Sequence, residues 1–325
     1  MHRPFSANDI RITRIYDAPV ALVWDAWTDL AQVVQWWGPR GFTLTTHSKD
    51  LRPGGSWVYT MHGPDGTDWP NFTRYHEVEP RALLVYDHGA SAEDARPMFR
   101  VTAIFRDLGD KTELDMRMTL PTAEEAQRTR AFIKTVGGNS TWDRLAEFLE
   151  KERSSSEIFV ISRSFEAPLT TVFDMWTTPA HLAAWLPPAG FTMAFQRADI
   201  RAGGDAAFSM SNGDFVMYAR HEYVQVHRPD RLEYTQTFTD EQGNESRQPG
   251  EPNWPVTTRV WVSFAEEGEL QTRVTVRFDI DGAATPAEIA AFTAERAGMT
   301  LGWNGSFNAL DDLLAGGESG TQGSR

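Results

Sequence analysis

Sliding the sequence against itself by 149 positions lays Ile12–Gly55 over Ile161–Gly204 without a gap, and about 18 of the 44 pairs are identical. A repeat of this length is the size of a domain, not of a solenoid unit, so the chain has to build one fold twice. The matched pairs include Arg14/Arg163, Ala18/Ala167, Pro19/Pro168, Trp27/Trp176, Trp36/Trp185, Gly41/Gly190 and Gly54-Gly55/Gly203-Gly204. The C-terminal ends match too: "GGNSTWDRLAEFL" from Gly137 faces "GWNGSFNALDDLL" from Gly302. The shift is larger there, so the second copy carries an insertion. Thr239–Pro255, rich in Glu, Gly and Pro, reads as a long hairpin loop. These landmarks divide the chain into a first domain over 1–150, a linker over 151–157, a second domain over 158–315 and a flexible tail over 316–325. Two copies in one chain also raise the expectation of an intramolecular pseudo-dimer.

Periodicity sets the order of elements within a copy. "DIRITRIYD" alternates and predicts a strand. Pro19 suits the start of a helix whose apolar face is Val20, Val23, Trp24 and Trp27. A second short helix covers Leu30–Trp37 and stops at Gly38-Pro39. Six strand-like segments follow, at Phe42–Leu51, Ser56–His62, Phe72–Val78, Leu83–His88, Met98–Leu108 and Thr112–Leu120. Turn residues separate them. A long helix over about Ala123–Leu149 closes the copy, with a break expected at Gly137-Gly138. Strands joined by short turns pair antiparallel, and one long apolar helix is available to cover the sheet. The fold class is therefore α+β: twice over, a curved antiparallel sheet of about seven strands wrapped around a long C-terminal helix, with two short helices after the first strand.

The strings "APVALVWDAWTDLAQVVQWWGPRGF…DLRPGGSWVYTM" and "APLTTVFDMWTTPAHLAAWLPPAGF…DIRAGGDAAFSM" resemble the START-like (SRPBCC, helix-grip) superfamily. More narrowly, they are similar to the domain shared with the activator of heat-shock-protein-90 ATPase. The resemblance covers nearly the whole chain. It implies a space between sheet and long helix, and functions that range over hydrophobic-ligand carriage, cyclase-like chemistry and co-chaperone work.

Composition trims those options. The net charge is −14, which disfavours nucleic acid and anionic membrane surfaces as partners. The chain has no cysteine, which excludes disulfides, thiol nucleophiles and zinc–thiolate sites. No window has the ~20 apolar residues of a membrane span, and no signal-like run opens the sequence, so a cytoplasmic location is expected. His221 and His227 share a strand face but are separated by about 20 Å, too far for one ion. No metal and no cofactor is expected, since no phosphate loop or dinucleotide fingerprint is present.

The residues that point to function are aromatic. Trp57, Tyr59 and Met61 alternate along one strand face, with Phe208 and Met210 on the matched face of the second copy. Met116 and Met118 form another inward row, which Phe132 and Trp142 can reach from the long helix. Trp27, Trp37 and Tyr75 complete the ligand-binding candidates of the first copy, and Trp176, Tyr223, Phe278 and Trp303 those of the second. Such residues either fill a core or line an adaptable apolar site. Ala206 stands where the first copy has Trp57, so the second interior is expected to be roomier there. No nucleophile–base–orienter set is visible. Glu77, His62 and His88 are the acid–base candidates if the chain is an enzyme. The leading expectation is the binding of a small hydrophobic molecule. A cofactor-free lyase, cyclase or hydrolase and a chaperone-associated interaction protein are the alternatives.

Overall fold

The computed structural model describes residues 4–89, 96–135, 140–154, 158–213 and 215–318. The chain divides into two compact units, Met1–Ser154 and Ser155–Arg325. In the first, β1 (Asp9–Tyr16) leads into α1 (Val20–Thr28) and α2 (Leu30–Trp36). Then come β2 (Thr43–Lys49), β3 (Ser56–His62), β4 (Asp68–Glu79), β5 (Leu83–Gly89), β6 (Phe99–Asp107) and β7 (Thr112–Thr119), followed by α3 (Ala123–Thr135) and α4 (Ser140–Arg153). The seven strands form one antiparallel sheet ordered β1-β7-β6-β5-β4-β3-β2, so the N-terminal strand pairs with the last one. The break expected at Gly137-Gly138 falls outside the described residues.

The second unit repeats this plan. β8 (Phe159–Phe165), α5 (Leu169–Thr177) and α6 (Pro179–Trp185) precede β9 (Thr192–Ala198), β10 (Asp205–Ser211) and β11 (Val216–His227). β12 (Arg231–Thr239), β13 (Thr257–Gly268), β14 (Gln271–Ile280), α7 (Pro286–Ala294) and α8 (Arg296–Glu318) complete it. Its sheet order is β8-β14-β13-β12-β11-β10-β9. The α+β tandem helix-grip architecture expected from the sequence is therefore present in both halves. Each half has its own apolar core on the helix-facing side of its sheet.

The residues matched between the copies explain the shared frame. Trp36 Nε1 donates to the Ala26 carbonyl at 2.9 Å, and Trp185 Nε1 donates to the Met175 carbonyl at 2.9 Å. Each buried indole thus ties the second short helix to the first. At the turn before β3, a Cβ on Gly55 would sit 2.2 Å from the Asp50 carbonyl oxygen, and Gly204 meets Asp199 in the same way. No other residue fits such an approach. The adjoining Asp-x-Arg is an ion pair in both copies, Asp50–Arg52 at 2.8 Å and Asp199–Arg201 at 2.9 Å.

The insertion after β12 is more than a solvent loop. Trp254 is buried and its ring lies 5.6 Å from Phe292 of α7. Arg247 donates to the Trp254 carbonyl and, at 2.9 Å, to Glu288. Glu288 closes a capping box with Thr285 at the start of α7. The loop therefore grips the helix that follows the sheet.

Candidate functional site

The space between sheet and long helix is occupied by aromatic side chains, and the two units arrange them differently. In the first unit Trp27 of α1 is the hub. Its ring stacks on Trp142 of α4 at 5.4 Å and meets Trp36, Trp37 and Phe105 edge-on within 5.8 Å. Trp37 packs on Trp57 at 5.4 Å, and Trp57 stacks on Tyr59 at 4.1 Å. Trp37 Nε1 donates to the Tyr59 hydroxyl at 3.3 Å. Met116 and Met118 are buried in the same core, and Met61 packs at its margin. Phe132 lies in α3, but its side chain is outside the described residues.

In the second unit Trp176 is the hub. It stacks on Trp303 of α8 at 5.8 Å and touches Trp185 and Phe264. Trp303 continues to Phe278 at 5.8 Å. By sequence Trp142 aligns with Phe307, yet the indole that stacks on the hub is Trp303, one helical turn earlier. Phe208 and Met210 are buried as the strand pattern suggests. The Trp176 Nε1, at 3% residue exposure, has no hydrogen-bond partner among the described residues.

Polar groups enter these interiors on the fourth and fifth strands of each sheet. Tyr75 and Tyr86 are directly opposite each other, as are Tyr223 and Tyr234. Their rings are 6.1 Å and 5.6 Å apart. Burial pushes the hydroxyls of all four tyrosines above their usual pKa. None of the four has a side-chain hydrogen bond among the described residues.

A histidine sits one cross-strand pair away in each unit, but on different strands. The first unit pairs Thr73 of β4 with His88 of β5, and the second pairs His221 of β11 with Gln236 of β12. His88 stacks on Phe99 at 4.7 Å. His221 lies 4.4 Å from Tyr234 and 4.8 Å from Phe208, ring to ring. Desolvation lowers both imidazoles to about 4, so both are neutral at pH 7.

The remaining acid–base candidates are elsewhere. His62 is at the surface, with Nδ1 at 2.6 Å from Asp68 and Nε2 at 2.8 Å from Thr45 Oγ1. Glu77 faces outward because a β-bulge between Tyr75 and Glu77 resets the alternation. Plain alternation would have put both on one face. Glu77 instead borders an open groove of about 820 Å³ on the outer side of the first sheet, with Leu83, Val85, Ile104 and Arg100. Lys49 also reaches the interior of the first unit, although no residue pattern marks it. Its Nζ donates to the Trp27 carbonyl at 3.1 Å and sits 4.6 Å from the centre of the Trp57 ring, and burial lowers its pKa to about 8. Among the described residues no group of three or more His, Asp or Glu side chains is placed to hold a metal ion.

This geometry can be set beside known proteins. Residues 17–150 and 166–315 each match the family described as Activator of Hsp90 ATPase homolog 1-like protein. The chain belongs to that family. Each matched segment begins just after the first strand of its unit and runs through the short helices, the other six strands and most of the last helix. No curated protein matches the chain. Solved structures do. A protein from Arthrobacter aurescens, solved by NMR, is 26% identical over 45% of this chain and 87% of its own, with a TM-score of 0.41. A crystal structure from Nitrosomonas europaea is 22% identical over 46% of this chain and 99% of its own, at 0.43. The di-domain ARO/CYC protein BexL of the BE-7585A biosynthetic pathway spans 94% of this chain and 98% of its own, at 13% identity and a TM-score of 0.38. No described helix is long and apolar enough to cross a membrane.

Proposed function

We propose that this family member binds small hydrophobic ligands between the sheet and the long helix of one or both units. The observation that carries this reading is polar functionality left unmatched inside an apolar interior. The Trp176 indole N–H is buried without a partner, and the hydroxyls of Tyr75, Tyr86, Tyr223 and Tyr234, on residues at most 5% exposed, make no side-chain hydrogen bond among the described residues. A buried polar group without a partner costs about 1–3 kcal/mol, so the Trp176 N–H gains when a ligand supplies an acceptor, and the four hydroxyls offer further polar contacts beside it. The aromatic and methionine side chains around them are polarizable and can shift to admit an apolar body.

The same geometry argues for binding over acid–base catalysis. A general base works best with a pKa near the operating pH. His88 and His221, at about 4, are weak bases at neutrality. His62 and Glu77 lie outside the interior altogether.

Thermal shift with a panel of uncharged aromatic and aliphatic probes, joined to native mass spectrometry, tests the proposal. A ligand at a hundredfold excess over its Kd stabilises the binding unit by about 2.7 kcal/mol. Failure of every probe to raise the melting temperature or to appear as a mass adduct would overturn it.

A further inference from the structure

The two interiors differ at one cross-strand pair in a way that assigns them different ligand chemistry. In the first unit Trp57 faces Thr73 across β3 and β4. In the second, Ala206 faces His221 across β10 and β11. An indole has become a methyl group and a hydroxyl has become an imidazole. The neighbouring pair changes in the same direction, from Tyr59 opposite Asn71 to Phe208 opposite Ala219. The second interior therefore has Ala206 across from one buried heterocycle and Ala219 beside it along β11, with Gln236 and Tyr223 on its other sides.

The bonding of that heterocycle fixes what it offers. His221 Nε2 is 3.1 Å from Gln236 Oε1, so Nε2 carries the proton and donates it. Nδ1 is then left as an acceptor lone pair. It has no hydrogen-bond partner among the described residues, and the residue is only 3% exposed. Its surroundings are the rings of Phe208, Tyr223 and Tyr234, none of which turns a charge toward it. An acceptor bordered by aromatic rings favours an uncharged partner that donates, since an ion would lose its hydration without a counter-charge.

We propose that the second unit selects uncharged apolar molecules bearing a hydroxyl donor, held by His221 Nδ1 over the space opened at Ala206. This rests on the ligand-binding reading above and adds to it the identity of the anchoring residue, the unit that uses it and the class of ligand. Trp57 and Tyr59 fill the equivalent place in the first unit, and His88 there stacks on Phe99 from the next strand.

The test compares 1-naphthol with 1-methylnaphthalene, which share an apolar body and differ in the donor. Calorimetry on the full chain is expected to give about tenfold tighter binding for the naphthol, as one buried hydrogen bond allows. His221→Leu should bind both equally. His221→Gln, which restores an acceptor oxygen, should recover part of the preference, and His88→Leu should leave it unchanged. A preference that survives His221→Leu, or that disappears in His88→Leu, overturns the assignment while leaving ligand binding intact. Binding of neither probe overturns the binding reading itself. A readout that needs no variant is the ¹⁵N spectrum of histidine-labelled wild-type chain. The unprotonated ring nitrogen of His221 should shift on adding naphthol and stay in place with methylnaphthalene. Bound naphthol without that shift refutes the contact.

Discussion

His88 and His221 make the interior sensitive to acid. Both have folded-state pKa values lowered to about 4 by desolvation, against 6.5 for an ordinary histidine. The unfolded chain therefore binds protons that the folded chain refuses, and stability falls as pH drops from about 6.5 toward 4. Above that window both forms are neutral and the contribution is fully present. The loss by the bottom of the window is on the order of 3 kcal/mol for the buried His221 and smaller for the half-buried His88. Urea melts of the wild type between pH 7 and pH 4 should show this slope, and His221→Phe should flatten it measurably. A slope unchanged by that substitution would mean that carboxylates alone carry the acid response. Trp36 and Trp185 act at the same scale in another way. Each donates one buried hydrogen bond between its short helices, so Trp36→Phe should cost about 1 kcal/mol for the lost bond beyond any packing change. Denaturant titration of that variant measures it.

At the scale of elements, the insertion after β12 behaves as a strap on α7. Trp254 buries its ring against Phe292, while Arg247 reaches the Glu288 that caps the helix. Trp254→Ala should cost about 3–5 kcal/mol, as for other buried indoles. It should also raise proteolytic cleavage within 240–256 before the rest of the second unit is cut, which limited proteolysis would show. The sequence pattern read this segment only as a polar loop, because its glutamates, prolines and glycines outnumber the one indole that anchors it. The strands were legible because alternation is local: Ser56–His62 is found at the residues the pattern marks. The face of Glu77 was not legible, since a bulge depends on pairing with β5 and not on the spacing of residues in β4. For the same reason the pattern marked His88 and His221 as strand residues but not as counterparts. Only the registers Thr73–His88 and His221–Gln236 reveal a histidine moved across by one strand. The long helices hid their own exchange, in which Trp303 stacks on the hub although Phe307 is the residue that aligns with Trp142.

At the scale of the whole chain, duplication has left one frame with two contents. Each unit closes its own seven-stranded sheet on its own core, so neither needs the other to bury its apolar face. What separates them is local: Trp37, Trp57 and Tyr59 in one stand where Leu186, Ala206 and Phe208 stand in the other. If the second interior is the roomier, exchanging the fillers should move binding without rebuilding either fold. Ala206→Trp puts an indole where the first unit already accommodates one, opposite a larger neighbour than Thr73. Overpacking by a few methylenes costs about 1–3 kcal/mol and a whole ring costs more, so the fold of the variant is checked before its binding is read. The expected result is a chain that keeps its circular dichroism spectrum and loses ligand from the second unit, read as one bound molecule fewer by native mass spectrometry. Trp57→Ala is the complementary change. It removes the indole that stacks on Tyr59 and abuts Trp37, and should cost about 3–5 kcal/mol while opening the first interior. A ligand stoichiometry unaffected by Ala206→Trp would place binding outside the second interior and sink the asymmetry argued from that one pair of positions.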